Sequence, residues 1–160
     1  MDFDVLIEIP ANSHIKYEVD KESGELRVDR FLHTSSVFPY NYGFIKNTKG
    51  EDGDPLDVMV VSSERIQPGV AIKCHPVGLL EMEDESGVDT KIMAVPDKKI
   101  DPVYGLYDSI DDIPEASRSL IKQFFQNYKS LEPGKWVKVK GFRGVAEARK
   151  MIEKSSIFKE

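Results

Sequence analysis

The sequence predicts an α+β fold with a small β-barrel at its core. Short strand-like runs fill most of the first three-quarters of the 160 residues at near-regular spacing, and two helical patterns lie in the last third. No linker, repeat or low-complexity segment interrupts the chain, so we expect one domain over residues 1–160. A small closed barrel leaves the loops at its rim free to carry a functional site.

The strand-like runs combine β-branched and apolar residues, and polar turns separate them. Two short runs are joined by Lys21-Glu22-Ser23-Gly24, which is typical of a hairpin with a four-residue connection. Later in the chain, Val137 and Val139 alternate with lysines, which predicts a strand with one buried face. The predicted strands cover residues 3–9, 15–20, 25–29, 57–62, 70–82, 88–95 and 135–142.

Two helices follow from the periodicity of apolar residues. The first is predicted to begin near Asp112 as its cap, with Pro114 and Glu115 in its first turn, and to run to about Leu131. Its apolar stripe comprises Leu120, Ile121, Phe124, Phe125, Tyr128 and Leu131. The second helix covers residues 145–155 and is predicted to turn toward the core Val145, Ala148 and Ile152.

The composition weighs against several classes of protein. The chain has no apolar run long enough for a transmembrane helix, and its acidic N-terminus lacks the pattern of a secretory signal. The single cysteine, Cys74, cannot form an internal disulfide and indicates a reducing, cytoplasmic location. The net charge of −6 weighs against binding to nucleic acid, which needs a basic face.

Two acidic segments indicate a site for cations. Asp52, Asp54 and Asp57 lie within six residues just before a hydrophobic run, and Asp57 is placed to open that strand. Carboxylates held this close repel one another, so cations that neutralise them favour such a cluster. A solvated turn is the alternative reading of either segment alone. The second acidic turn lies between two later strands and contains Glu83, Asp84, Glu85 and Asp89.

The ligand types narrow the choice of cation. Oxygen ligands favour magnesium, manganese or calcium over zinc. Neither acidic segment has the spacing of an EF-hand, because Leu56 and Val88 stand where that loop needs oxygen ligands. The three histidines are scattered and Cys74 has no second cysteine, which argues against zinc. The residues therefore predict a site for magnesium-type cations.

Basic and phenolic residues accompany the acidic turns. Lys16 and Glu18 alternate along one predicted strand and can share a face, and Lys91 follows Asp89 by two residues on another. Guanidinium, ammonium and phenol groups are the side chains that bind phosphate. The chain has no Walker loop and no dinucleotide fingerprint, so a nucleotide is not indicated. The candidate phosphate-binding residues are Lys16, Arg30, Tyr42, Lys91, Tyr128 and Lys129.

The chain resembles the bacterial-type soluble inorganic pyrophosphatases of family I over essentially its whole length. The segment Asp52-Gly53-Asp54-Pro55-Leu56-Asp57 fits the family signature. One position departs from the family, because Phe38 stands where many members have tyrosine, and we expect this change to tune activity rather than abolish it. The other matching blocks, in order, are residues 8–12, 15–18, 28–31, 41–43, 84–91 and 128–129.

This resemblance implies a five-stranded OB-like barrel with additional short strands and two main helices packed outside it. It implies hydrolysis of inorganic pyrophosphate to two orthophosphates by a magnesium-activated water, without a covalent intermediate. Several Mg²⁺ ions per active site are implied, with Mn²⁺ or Zn²⁺ as substitutes, and Ca²⁺ is expected to inhibit. Family members of the bacterial type are commonly homohexamers.

The resemblance also implies roles for single residues. Asp54 is expected to activate the attacking water. Glu18 and Glu85 are expected to support the site. The expected metal ligands are Asp52, Asp57, Asp84, Asp89 and, through water, Glu8. The six candidate phosphate-binding residues are expected to contact the substrate, namely Lys16, Arg30, Tyr42, Lys91, Tyr128 and Lys129.

Three alternatives stay open on the sequence alone. The first is a non-enzymatic OB-like module that binds divalent cations or polyanions. The second is an OB-type nucleic-acid binder, suggested by the barrel and the aromatic residues. The third is an inactive relative kept for assembly. Release of phosphate from pyrophosphate distinguishes the expected enzyme from all three.

Overall fold

Five strands close into a ring in the computed structural model, which describes residues 1–157. Short 3-10 helices lie at Tyr104–Leu106 and Ile110–Asp112. The remaining elements, in chain order, are β1 (Phe3–Ile9), β2 (Ile15–Val19), β3 (Leu26–Phe31), β4 (Asn41–Ile45), β5 (Asp57–Val60), β6 (Ala71–Asp84), β7 (Gly87–Val88), β8 (Lys91–Pro96), α1 (Glu115–Asn127), β9 (Val137–Arg143) and α2 (Val145–Ser155).

The ring follows the order β1, β4, β5, β8 and β6, and β6 pairs back with β1. Its pairs are antiparallel except for β5 and β8, which run parallel. The strands β7 and β9 extend the sheet from β6, and β2 and β3 form a separate hairpin. The predicted α+β fold, a five-stranded OB-like barrel with additional short strands and two main helices, is confirmed.

The predicted strands match the observed ones to within a few residues, but β4 was not predicted. Its sequence, Asn-Tyr-Gly-Phe-Ile, has a glycine at its centre and no clear alternation. The structure explains Gly43 by a close approach of two backbones. A Cβ atom at this position would lie 1.9 Å from the carbonyl oxygen of Leu6 on the neighbouring β1. Glycine therefore weakens the strand pattern and permits the pairing at the same time.

The first helix differs from its prediction at both ends. Asp112 does not cap α1, because its carboxylate accepts the backbone N–H groups of Asp108 and Ser109 and closes the preceding 3-10 helix. The helix begins at Glu115, after Pro114, and ends at Asn127. Beyond it the chain forms tight turns, with the N–H of Ser130 donating to the carbonyl of Asn127. Tyr128 and Lys129 therefore follow the helix rather than belong to it.

The assignment of Leu120 and Leu131 to the buried stripe of α1 is wrong, since they are 50% and 65% exposed. The buried stripe has the spacing i, i+3, i+4 and i+7, and Leu120 lies on its flank. It consists of Ile121, Phe124 and Phe125, and Tyr128, the C-cap of the helix, continues it. In α2 the prediction is closer, because Ala148 and Ile152 are buried and Val145 is half-buried.

Two hydrophobic clusters lie on the two faces of the barrel strands. Successive residues of β5 and β8 alternate between them, so Met59 and Met93 join one cluster while Val58 and Ile92 join the other. The first cluster includes the buried stripe of α1, and the second includes Ala148 and Ile152 of α2 together with the buried Cys74. Among residues 1–157, no helix is both long and apolar enough to cross a membrane.

Asn41 connects three segments at the start of β4. Its side chain is buried, with 1% of the residue exposed. Its Oδ1 accepts the N–H groups of Ala11 at 3.0 Å and Ile66 at 2.9 Å. Its Nδ2 donates to the Ser62 hydroxyl and to the Glu64 carbonyl, both at 3.0 Å. Every hydrogen-bonding capacity of this amide is therefore used to fasten loops to the barrel.

We predict that Asn41→Ala lowers the free energy of unfolding by about 3 kcal/mol, because it leaves several buried backbone groups without partners. Urea unfolding followed by circular dichroism measures this loss. Asn127→Ala is the matched control, since the side chain of Asn127 is exposed and donates only to the local carbonyl of Gln123. Equal losses in the two variants would contradict the assignment.

Candidate active site

A cavity of about 390 Å³ lies where β5 and β8 begin and β6 ends. Every predicted site residue lines it except Glu85, which contacts the lining residue Lys129. Carboxylates, ammonium groups, a guanidinium and phenols thus share one space. The predicted residues that line it are Glu8, Lys16, Glu18, Arg30, Tyr42, Asp52, Asp54, Asp57, Asp84, Asp89, Lys91, Tyr128 and Lys129.

The parallel pairing of β5 and β8 gathers the central residues. Val58 is in register with Ile92, so the preceding residues, Asp57 and Lys91, open the two strands at the same edge of the sheet. Since β6 runs antiparallel to β8, the end of β6 with Asp84 reaches the same edge. The two acidic segments, far apart in sequence, become neighbours for this topological reason.

Lys91 occupies the centre of the cavity floor. Its Nζ lies 2.9 Å from Asp57 Oδ2 and 3.0 Å from Asp89 Oδ1, and only 5% of the side chain is exposed. The ammonium also lies 5.4 Å from the ring centroid of Tyr42 and 5.8 Å from that of Phe125. Burial lowers the pKa of Lys91, but Asp57, Tyr42 and Asp89 outweigh burial and hold this pKa well above its usual value. Lys91 is therefore a permanent buried cation.

Lys129 makes the equivalent contact with the second acidic turn. Its Nζ lies 2.9 Å from Asp84 Oδ2 and 3.2 Å from Glu85 Oε2. Glu85 in turn accepts the backbone N–H of Trp136 at 3.2 Å and pairs with Lys135 at 3.7 Å. Burial lowers the pKa of Lys129, but the hydrogen bond that its ammonium donates to Asp84 helps to hold this pKa above its usual value overall. Glu85 thus anchors the turn and the lysine together.

Glu8 enters the cavity from an irregular point of β1. Ile7 is in register with Gly43 and Ile9 with Tyr42, so Glu8 is the extra residue of a β-bulge. Bulges re-aim a side chain, and here the carboxylate turns toward the hairpin and accepts the N–H of Val19 at 2.8 Å. Burial raises the pKa of Glu8 to about 7, although the hydrogen bond from Val19 opposes this and nearby Asp57 adds to it.

A second bulge organises the basic residues of the hairpin. Lys16 and Arg30 face each other directly across β2 and β3, and Asp29 is the extra residue beside them. Like charges opposite each other repel. Asp29 offsets this repulsion, since its carboxylate lies 3.5 Å from Lys16 Nζ and also contacts the Arg30 guanidinium. The buried Glu132 holds Arg30 from the other side, with 3.1 Å between its Oε1 and the arginine Nε.

Asp29 and Glu132 were not predicted as site residues. Asp29 lies inside a block that matches the family, but its role depends on a bulge that the sequence does not show. Glu132 follows α1 in a series of turns and reaches Arg30 across more than one hundred residues. Lys21 was also missed as a contact of the site. It lies in the turn of the hairpin, and its ammonium contacts the carboxylate of Asp54.

The loop with the three aspartates folds on itself before β5. The N–H of Asp54 donates to Asp52 Oδ1 at 2.9 Å, and the N–H of Gly50 donates to the carbonyl of Asp54 at 2.8 Å. Gly53 has a φ of 87°, in the left-handed region that glycine adopts without strain. The turn leaves half of the Asp54 side chain exposed to the cavity and solvent, while Asp57 lies at its floor.

The donor set fits a hard cation. Within residues 1–157, no group of three acidic, histidine or cysteine side chains converges closely enough to hold an ion as it stands. Instead, the ammonium groups of Lys91 and Lys129 each lie between two carboxylates, so these positions accommodate positive charge. Among residues 1–157, the side chains that line the cavity and could bind a metal are all carboxylates, with oxygen donors only. This chemistry suits Mg²⁺ or Mn²⁺.

An aromatic cluster forms the apolar wall of the cavity. Phe38 packs against Phe124 with ring centroids 4.6 Å apart and against Tyr42 at 5.4 Å. Burial raises the pKa of Tyr42 and of Tyr128, so both phenols keep their protons near neutral pH. Phe38, the position at which the sequence departs from the pattern that the resemblance implies, lines the same wall. Tyr42 and Tyr128 remain as hydrogen-bond donors.

The fold and the cavity define a class of OB-like barrel proteins with an acidic and basic site at the strand ends. The chain belongs to the inorganic pyrophosphatase family, because the family model described as inorganic pyrophosphatase matches residues 5–158.

Relatives and solved structures agree with this family. The chain is 53% identical over 153 residues to an inorganic pyrophosphatase of Aquifex pyrophilus, covering 96% of this chain and 86% of the relative. It is 54% identical over 151 residues to that of Aeropyrum pernix, covering 94% and 86%. The structure of an inorganic pyrophosphatase from Coxiella burnetii has a TM-score of 0.93 and 48% identity, covering 96% of this chain and 92% of the other.

Glu8 predicts a pH dependence of stability in the metal-free protein. Its pKa is about 7 in the folded chain and 4.5 as the ordinary value, so the folded state binds the proton more tightly. The contribution of Glu8 to stability is therefore complete below pH 4.5 and is lost as the pH rises to about 7. Glu8→Gln has no ionisable group at this position and does not show this loss. Its free energy of unfolding should therefore rise relative to that of the wild type by about 3 kcal/mol between pH 4.5 and about 7.

Urea unfolding of both proteins in chelator, across this window and above it, measures the difference. Asn127→Ala carries no change in a titratable group and serves as control, with a pH-independent difference from wild type. A difference between Glu8→Gln and wild type that stays constant with pH would show that the carboxyl is not buried as described.

Proposed function

We propose that this chain hydrolyses inorganic pyrophosphate to two orthophosphates by direct attack of a magnesium-activated water, without a covalent intermediate. The observation that carries the proposal is the shared cavity, in which carboxylates for cations and basic groups for an anion face one another. Membership of the inorganic pyrophosphatase family supports the same substrate. The described residues that line the cavity include neither a Ser-His nor a Cys-His pair, so a direct displacement is the simpler chemistry.

The residues that would hold Mg²⁺ are the carboxylates at the strand ends. Mg²⁺, when bound there, supplies positive charge that offsets the charge of pyrophosphate and lowers the pKa of water. Mn²⁺ or Zn²⁺ would substitute for it. The proposed ligands are Asp52, Asp57, Asp84, Asp89 and, through water, Glu8.

The basic residues would bind and orient the pyrophosphate. Lys16 and Arg30 project from the hairpin as a cross-strand pair, and Asp29 and Glu132 hold them in place without neutralising all their donors. Lys129 would exchange part of its contact with Asp84 for a phosphate oxygen. Their fixed positive charge stabilises the charge of the phosphoryl group as it is transferred. Tyr42, Lys91 and Tyr128 would complete the contacts from the floor and wall of the cavity.

Asp54 is the proposed general base. Its side chain lines the cavity and is half-exposed, in the loop between Asp52 and Asp57. It can therefore accept a proton from a water in the cavity. The water oxygen forms a bond to phosphorus, the bridging P–O bond breaks, and Asp54 takes the proton and passes it to solvent. The ammonium of Lys21, in the turn of the hairpin, contacts the carboxylate of Asp54. The hairpin therefore contributes both to substrate binding and to the base.

Assembly as a homohexamer and a cytoplasmic location are further parts of the proposal that rest on the family resemblance and on Cys74. Light scattering and cell fractionation test them.

We predict that the purified chain releases phosphate from pyrophosphate with Mg²⁺, and that excess chelator abolishes release. Ca²⁺ added to the magnesium enzyme should inhibit, because it is larger and less strict in geometry. A colorimetric phosphate assay measures both effects. Absence of release at saturating Mg²⁺, or full turnover with Ca²⁺ alone, would contradict the proposal.

Asp54→Asn should lower kcat about 100-fold or more, since the amide cannot accept the proton. Binding of Mn²⁺ should be retained, because Asp54 is not a proposed ligand. Steady-state kinetics and electron paramagnetic resonance of Mn²⁺ check the two parts. Asp111→Asn is the control, as Asp111 lies on the surface with 83% of its side chain exposed. A fully active Asp54→Asn enzyme would show that the base has been misassigned.

A further inference from the structure

The loop between β4 and β5 contains Asp52 and Asp54 and ends at Asp57, the first residue of β5. At its base the N–H of Ile45 donates to the carbonyl of Leu56 at 2.9 Å. The next pair toward the barrel joins Phe44 and Asp57 in the regular ladder. The position of Asp57 in the cavity therefore depends on how Leu56 is held at this base.

A buried hydroxyl completes the base of the loop. The Oγ1 of Thr48 accepts the N–H of Leu56 at 3.0 Å and donates to the carbonyl of Ile45 at 2.7 Å. The hydroxyl thus stands between a donor and an acceptor that face each other across the two strands. It fills the place of the second ladder hydrogen bond between Ile45 and Leu56, because the N–H of Leu56 and the carbonyl of Ile45 are joined through it and not directly. Thr48 is 6% exposed, so water does not readily replace it.

The backbone on both sides of Thr48 is anchored from outside the loop. The N–H of Lys49 donates to the carbonyl of Ser155 at 2.8 Å, at the end of α2. The N–H of Ile157 donates to the carbonyl of Asn47 at 3.1 Å, and Thr48 forms an isolated bridge with Ser156. Thr48 is therefore fixed to α2 through its backbone and to Leu56 through its side chain.

We propose that the Thr48 hydroxyl is a positioning group that sets the spacing of Asp57 relative to Asp52 for cation binding. The proposal rests on the proposed function for the identity of the site. Thr48 does not line the cavity and acts only through Leu56 and the loop. Its methyl group fills space, but the spacing depends on the hydroxyl, because only an oxygen can satisfy both backbone groups.

Removal of the hydroxyl has a defined consequence. In Thr48→Val the N–H of Leu56 and the carbonyl of Ile45 are left buried without partners, which is unfavourable. The two groups can satisfy each other only if the strands close the gap that the hydroxyl spans. That movement carries Leu56, and with it Asp57, away from the position that faces Asp52.

The test measures Mn²⁺ binding in the absence of substrate, by electron paramagnetic resonance, in four variants and the wild type. Thr48→Val should weaken Mn²⁺ binding about tenfold, as removal of groups that orient metal ligands generally does. Thr48→Ala, which removes the methyl group as well as the hydroxyl, should weaken it in the same direction, and Thr48→Ser should keep the wild-type affinity. Ile113→Val, a buried change in the hydrophobic cluster that does not contain Leu56, controls for a general loss of stability. The Mg²⁺ concentration that half-saturates phosphate release should rise by the same factors.

Each result decides the proposal. Unchanged Mn²⁺ affinity in Thr48→Val or, where that variant does not fold, in Thr48→Ala would overturn it. Equal weakening in Thr48→Ser would place the effect in the methyl group, and equal weakening in Ile113→Val would place it in stability, so either overturns it as well. If the Thr48 variants bind Mn²⁺ more weakly than the wild type as expected, but the wild type releases no phosphate, the proposed function is refuted and the positioning role stands. A wild type that binds no Mn²⁺ would overturn both.

Discussion

The buried contact of Lys91 with Asp57 and Asp89 is the interaction on which the site depends. Carboxylates gathered at one edge of the sheet repel each other, and a cation at their centre makes the arrangement stable without a ligand. The parallel pairing of β5 and β8 places this cation in the sheet itself, at the first residue of β8. Because Lys91 offsets only part of the negative charge, the cavity retains an excess of carboxylates for further cations.

β-Bulges direct two carboxylates of the site to positions that a regular β-ladder would not give them. Bulges at Glu8 and Asp29 turn carboxylates toward the cavity and toward the Lys16 and Arg30 pair, respectively. Groups behind the site, among them Glu132 and the Thr48 hydroxyl, then hold the residues in front of it. The site thus has two layers of polar groups, one that lines the cavity and one that contacts the first from outside it.

Much of the fold and the site follows from the sequence, and the exceptions have physical reasons. The acidic segments, the hairpin and α2 were predictable because each is a local pattern. Strand β4 was missed because Gly43 interrupts its alternation for the sake of a long-range contact. The exposed Leu120 and Leu131 show that an apolar pattern does not separate a buried stripe from its flank. Asp29, Glu132 and Thr48 act through bulges and contacts between distant segments, which leave no local pattern.

The central claim is that the carboxylates of the two acidic segments jointly hold cations in one cavity. The most direct measurement is a crystal structure of the protein grown with Mn²⁺, with an anomalous difference map recorded for manganese. We expect more than one anomalous peak between the loop of Asp52 and Asp57 and the turn of Asp84 and Asp89, with Lys91 still bound to Asp57. A map with manganese elsewhere on the protein, and none between these two segments, would contradict it.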